Sequence, residues 1–246
     1  MNLKKMNNSK LNKEKENFEL ISNEWWVENS KFSILHKINP LRIKYIIEQI
    51  MNNKKTKTKN IVNSKIIDIG CGGGLICEPL ARLGALVSGV DFVKKNILVA
   101  KKHALKENLN INYICCEIEK LSFNKKYDVI LLLEVLEHIN DWKGTINKVK
   151  KFLKKDGIII FSTINRNILS GILTIFFAEK ILKWIPDNTH TYKKFIKPQE
   201  LVNELKLNKF KILDLKGIVY NPISREWKLS KNKLKINYFC TAKKIN

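Results

Sequence analysis

Apolar positions along this chain alternate between two textures. Short runs of branched aliphatic residues, the densest being Val129-Ile130-Leu131-Leu132-Leu133 and Ile158-Ile159-Ile160-Phe161, are separated by stretches in which apolar side chains recur at helical spacing. The pattern predicts strands over residues 65–69, 86–90, 112–116, 127–133, 158–163, 210–215 and 236–242. It predicts helices over 74–83, 94–108, 142–153 and 198–205, the third ending in a Lys-rich turn (Lys154-Lys155-Asp156) before Gly157. Strands that alternate with helices must pair in parallel through helical crossovers, and uninterrupted apolar runs belong to a sheet buried on both faces. The expected fold class is therefore α/β, with a doubly wound, mostly parallel, seven-stranded sheet.

The flanks read differently. Residues 1–16 form a polar tail, and 17–246 are expected to make a single domain. Within it, Phe18, Leu20, Ile21, Trp25 and Trp26 predict a short helix that packs on something, since paired Trp are costly to leave in water. Pro40 is placed at the first turn of a second helix carrying Leu41, Tyr45, Ile46 and Ile50. These two helices, followed by a polar linker to residue 60, form an N-terminal lid. Residues 168–197 read as an insertion whose first part, 168–185, is apolar but interrupted by Glu179, Lys180 and Lys183. That stretch is too short and too charged to span a bilayer. It is read either as an ordinary core helix or as an interfacial helix lying on an anionic membrane surface.

Charge changes this picture little. The chain has 46 Lys and Arg against 23 Asp and Glu, a formal net charge of +23, but only Arg42, Arg82, Arg166 and Arg225 are arginine. Heavy use of Lys, Asn and Ile together is a compositional bias, and the excess sits mostly in the flanks. A nucleic-acid partner is not expected on charge alone. Five cysteines (Cys71, Cys77, Cys115, Cys116, Cys240) form an odd set without a C-x-x-C pair, which points away from a disulfide framework and a zinc knuckle, and towards a reducing, cytoplasmic setting.

The chemistry begins where the strand ending at Asp68-Ile69 runs into Gly70-Cys71-Gly72-Gly73-Gly74. Glycines there permit a tight turn and close approach of a ligand to the main chain. Asp91 closes the next strand, where a carboxylate can accept from two ribose hydroxyls. The dinucleotide fingerprint fails in both registers, because Gly70-x-Gly72 leads to Leu75 and Gly72-x-Gly74 to Cys77. An acid before the loop, clustered glycines and a second acid resemble instead the S-adenosylmethionine site of class I methyltransferases, in which Asp68 would help hold the ligand's ammonium.

Beyond the fourth strand comes Glu134-Val135-Leu136-Glu137-His138. On one turn of helix Glu134, Glu137 and His138 would share a face and could hold a divalent cation such as Mg2+ that chelates a catechol. Alternatively His138 acts without metal as general base, since imidazole ordinarily titrates near neutrality. A third reading leaves the two carboxylates to pair with lysines. The N-P-P-Y-type tetrapeptide usual in nucleobase amino-methyltransferases is absent from this position.

With these residues placed, the chain resembles the bacterial and mitochondrial ubiquinone-biosynthesis O-methyltransferases from Phe18 onwards. The resemblance rests on Trp25-Trp26, the stretch from Leu35 to Arg42 (LHKINPLR), the glycine loop, the stretch from Leu133 to His138, Ser162-Thr163-Ile164-Asn165-Arg166-Asn167, Lys193 to Pro198 (KKFIKP) and Tyr220-Asn221-Pro222-Ile223. Ser33-Ile34 and Leu133 depart from the family's usual Lys-Pro and Met. The resemblance implies a Rossmann-like fold and S-adenosylmethionine as cofactor, contacted by Arg42, Gly70, Asp91 and the main chain of Leu133, with Asp68 and Gly72 in the same loop. It implies a polyprenylated catechol and 3-demethylubiquinol as acceptors, and association with the inner membrane. Glu134, Glu137 and His138 become the candidate catalytic residues, and Thr189, His190 and Tyr192 could close over the catechol. Two rivals are a methyltransferase of another small molecule or of RNA, and a non-catalytic basic module that binds membrane or nucleic acid.

Overall fold

The structure, a computed structural model, describes residues 15–53, 60–167, 194–221 and 223–245. Residues 1–14 of the polar tail, most of the linker, the stretch 168–185 and Thr189, His190 and Tyr192 lie outside the described residues.

Eight strands form one sheet in the order β3-β2-β1-β4-β5-β8-β6-β7. They are β1 (Lys65–Ile69), β2 (Leu86–Asp91), β3 (Asn112–Cys115), β4 (Tyr127–Leu133), β5 (Leu153–Ile164), β6 (Phe210–Asn221), β7 (Glu226–Ser230) and β8 (Asn237–Lys244). The first five pair in parallel, and β8, β6 and β7 extend the sheet in antiparallel fashion. Helices α2 (Cys77–Arg82), α3 (Lys94–Lys106), α4 (Trp142–Lys150) and α5 (Pro198–Leu207) follow β1, β2, β4 and β5 in the chain, and α1 (Ser33–Asn53) precedes the sheet.

The period-2 pattern sorts the strand side chains into two cores. Ile66, Val129, Leu131, Ile158 and Ile160 face one way, with Tyr45 and Ile46 of α1, Leu80 of α2 and Ala100 of α3. Ile67, Ile130, Leu132, Ile159 and Phe161 face the other, with Ile146 and Val149 of α4 and Leu201 and Leu205 of α5. Both faces of the central strands are covered, as their unbroken apolar runs require.

Three details differ from the sequence reading. The eighth strand, β7, was not foreseen: it is a short edge that pairs only with β6 and whose residues are half-buried or exposed, so its sequence carries no core signal. Residues 154–157 do not end a helix. They bulge within β5, where Leu153 and Ile158 face Tyr127 and Val129, with Asp156 at φ 60° and the Lys154 ammonium 2.7 Å from Asp128. Helix α1 begins at Ser33, so Pro40 lies inside it. An interior proline costs about 3 kcal/mol, and tertiary bonds fix the turn before it: the His36 ring nitrogen lies 2.8 Å from the Trp25 carbonyl, and the Asn39 amide donates to the Leu75 carbonyl.

Candidate functional site

The chain winds from β1 to β2 and β3 on one side and from β4 to β5 on the other, so the carboxyl ends of β1 and β4 flank the switch point of the sheet, where open α/β sheets bind ligands. Register places Asp68 beside Leu131 and Leu133 beside Ser162. Arg42, from the middle of α1, reaches the same place.

The glycine loop turns sharply because its amides return to β2: Gly70 and Cys71 both donate to the Val90 carbonyl, at 2.7 and 3.0 Å. Gly70 and Gly72 have φ of 80° and 52°, a left-handed backbone that side chains strain. The sequence reading assigned the glycines to a tight turn and to ligand approach; the turn is present, and the protein itself also packs closely on the loop, since a Cβ at Gly70 would strike Val135 and one at Gly72 or Gly73 would strike the Trp25 side chain.

Four ionisable groups around the switch point, Asp91, Asp68, Arg42 and Glu137, are buried. Asp91, 7% exposed, accepts from the Gly72 amide at 2.9 Å, the Val93 amide at 2.8 Å and the Asn96 side chain at 3.3 Å. Burial raises its pKa, and those N–H donors oppose the rise. Asp68 is pushed up to about 7 by burial, against the Cys77 thiol that donates to it and the positive charge of Arg42. Arg42, 4% exposed, places Nη2 3.4 Å from Glu134, while its buried Nε has no hydrogen-bond partner. Glu137 is pushed up to about 8, first by burial and then by the neighbouring Glu134, with His138 acting the other way; the Thr163 hydroxyl donates to it at 2.8 Å.

The residues after β4 do not share a helical face. Glu134 adopts φ 57° and stands before the short 3-10 turn Leu136–His138, so its carboxylate swings towards β5 and β8. There one oxygen accepts from Arg42, from the Ser162 hydroxyl and, at 2.8 Å, from Asn237. Glu137 points down onto Thr163, and the His138 ring meets the edge of Phe18 with centroids 6.4 Å apart. The proposed metal set of Glu134, Glu137 and His138 is thus corrected: the helix that would have converged them is absent, and among the described residues no group of three His, Cys, Asp or Glu side chains is placed to hold a metal ion. Sequence reasoning missed Ser162, Thr163 and Asn237 as partners of these carboxylates. The first two were visible as a polar pair ending an apolar strand, whereas Asn237 gave no signal of its own.

A buried guanidinium nitrogen without a partner, whose charge acts on the buried Asp68, suits a ligand that carries its own carboxylate and ammonium, as S-adenosylmethionine does. Fold and site together are those of an S-adenosylmethionine-dependent methyltransferase. Residues 67–161 match the family described as "Methyltransferase domain". Among solved structures, a magnesium protoporphyrin IX methyltransferase from Synechocystis, with S-adenosylmethionine bound, superposes with a TM-score of 0.57 at 18% identity over 83% of this chain and 79% of that one. An S-adenosylmethionine-dependent methyltransferase from Clostridium acetobutylicum gives 0.62 at 19% identity over 83% and 91%. Curated relatives are much nearer. The ubiquinone biosynthesis O-methyltransferase of Pelagibacter ubique is 46% identical over 94% of this chain and 97% of its own length. That of Rickettsia prowazekii is 45% identical over 95% and 91%. The chain belongs to the ubiquinone biosynthesis O-methyltransferase family.

Proposed function

We propose that this protein methylates the phenolic oxygens of polyprenylated catechol and quinol intermediates on the route to ubiquinone, with S-adenosylmethionine as donor. The observation that carries the reading is the meeting of Arg42, Asp68 and Asp91 at the β1–β4 switch point of a chain nearly half identical to O-methyltransferases of that pathway. Arg42 Nε and its neighbouring nitrogens bind the cofactor's carboxylate, Asp68 faces its ammonium, Asp91 takes the ribose hydroxyls, and the main chain at Gly70 and Leu133 lines the path between them. The bound cofactor supplies an electrophilic methyl group on a good leaving group.

The protein's remaining tasks are to orient the acceptor oxygen, exclude water and remove a proton. His138 accepts the phenolic proton. Glu137, which ionises only as pH rises to about 8, favours the imidazolium that results once it carries its charge, and Thr163 holds Glu137 in place. Glu134 accepts from Arg42, Ser162 and Asn237, and ties α1 to β4 and β8.

The polyprenyl tail calls for a membrane surface. Among the described residues no helix is long and apolar enough to cross a bilayer. The sequence ILSGILTIFFAEKILKWI (168–185), with basic residues on either side, supports peripheral contact with anionic lipid. Flotation with anionic vesicles at low salt tests this part, and no association would refute it. The reaction itself is tested by transfer of labelled methyl from S-adenosylmethionine to a short-tailed prenylated catechol. Product is expected; cofactor binding without product would move the reading to another acceptor.

A further inference from the structure

Asp91 is the residue to which the proposed function gives the cofactor's ribose, and Asn96 links it to the segment before α1. The Trp25 indole lies between Gly72–Gly73 on one side and the Phe32 ring on the other, stacked at 3.8 Å and 11°. Its N–H donates at 2.8 Å to Asn96 Oδ1, and the Ser22 hydroxyl lies 2.8 Å from the same oxygen. Because an indole nitrogen only donates, this bond settles which end of the Asn96 amide is oxygen, and leaves Nδ2 directed at Asp91. Asn96 is 2% exposed and sits in the first turn of α3. Further contacts pin the arm: the Trp26 indole donates to the Gly73 carbonyl at 3.0 Å and stacks on His103 at 3.6 Å.

We propose that Asn96 is a positioning residue through which the N-terminal arm sets the availability of Asp91: while Trp25 and Ser22 hold Asn96, its amide occupies the carboxylate that the ribose hydroxyls must reach. The reasoning is a count of donors. Asp91 already accepts two backbone N–H bonds, which the loop geometry fixes, and the Asn96 bond, at 3.3 Å the longest of the three. Two ribose hydroxyls bring the demand on four lone-pair sites to five donors, so one must yield, and Asn96 is the only one carried by a side chain. It can swing away only when the Trp25 N–H releases its oxygen; the Ser22 hydroxyl, with a single proton, divides it between that oxygen at 2.8 Å and the Phe18 carbonyl at 2.7 Å. Docking of the arm and binding of the cofactor's ribose therefore compete for one carboxylate, and the arm lifts when the cofactor enters.

The proposal rests on the reading of Asp91 as ribose ligand, and the experiment separates the two. Calorimetric titration with S-adenosylhomocysteine is made on the full chain and on Trp25→Phe, Ser22→Ala, Asn96→Ala and Asp91→Ala. Trp25→Phe keeps a ring against Phe32 while losing the N–H and part of the packing on Gly72, and Ser22→Ala loses a single hydroxyl; thermal unfolding checks that both remain folded. Trp25→Phe and Asn96→Ala are expected to bind about three- to tenfold more tightly, the worth of one intramolecular hydrogen bond, with Ser22→Ala shifted the same way by less. The KM for S-adenosylmethionine falls in parallel while kcat stays unchanged, a split that a purely structural role would not produce. Unchanged or weaker binding in Trp25→Phe and Asn96→Ala, with Asp91→Ala still destroying binding, overturns the proposal alone. Unaltered binding in Asp91→Ala overturns the ribose reading, and the proposal with it.

Discussion

Glu137→Gln tests whether the carboxyl under His138 is as isolated from water as the structure places it. The side chain is 5% exposed, its pKa is pushed from the ordinary 4.5 to about 8 by burial and by Glu134, and its hydrogen-bonding partner is the Thr163 hydroxyl. A carboxyl raised in this way favours the folded state when protonated. Its contribution is fully present below pH 4.5, the unfolded value, and is lost as pH rises through about 8. Between pH 5 and pH 9 the loss amounts to roughly 4 kcal/mol, at about 1.4 kcal/mol for each unit separating the folded from the unfolded value. Glutamine keeps the shape and cannot ionise. The variant should therefore match the wild type near pH 5 and exceed it increasingly towards pH 9, by roughly 10 °C in melting temperature for a chain of this size. Asp68 and Asp91 are raised too, but they are common to both proteins and cancel in the difference. Thermal unfolding from pH 5 to pH 9 is the assay. A difference curve flat with pH would show that Glu137 is ionised and solvated in the folded protein, and that the account of its burial is wrong. Turnover measured on the same samples should drop above about pH 8, where wild-type Glu137 carries its charge beside His138, and differ little below it.

Arg42→Lys should weaken S-adenosylhomocysteine binding by about tenfold or more, because an ammonium cannot both meet Glu134 and replace the Nε donor; an unchanged dissociation constant would remove Arg42 from the site. Gly73→Ala puts a methyl group into Trp25, so the arm should detach and become sensitive to protease, with a cost of about 2–4 kcal/mol for the lost packing of Trp25, Phe32, Ile21 and Leu75. Cleavage no faster than in the wild type would mean that the loop gives way instead. Dialysis against EDTA should leave turnover unchanged, since Glu134, Glu137 and His138 point to different partners; loss of activity restored by Mg2+ would reinstate them as ligands.

The central strands were readable because a parallel sheet covered on both faces needs an apolar residue at every position, and Val129 to Leu133 and Ile158 to Phe161 supply one. Asp68, the glycine loop and Asp91 were readable for a related reason: each stands at a fixed offset from the end of its own strand. Segments whose conformation depends on partners far along the chain were misread. Residues 154–157 look like a helix terminus and become a bulge because β5 has to reach back to Tyr127. The edge strand β7 exists only because β6 offers it a free ladder.

The amino-acid sequence by itself determined the alternation of strand and helix, the glycine loop with its flanking acids and the family, since these depend on periodicity and on residue type at short range. Only the tertiary structure decided what those groups touch. It set Glu134 against Arg42, Ser162 and Asn237, seated Glu137 on Thr163, and laid Trp25 over Gly72 and Gly73 with Asn96 between the arm and Asp91. Such contacts join residues far apart in the chain, and no local pattern encodes them. They follow from the order of the strands and from the cost of leaving a buried polar group without a partner.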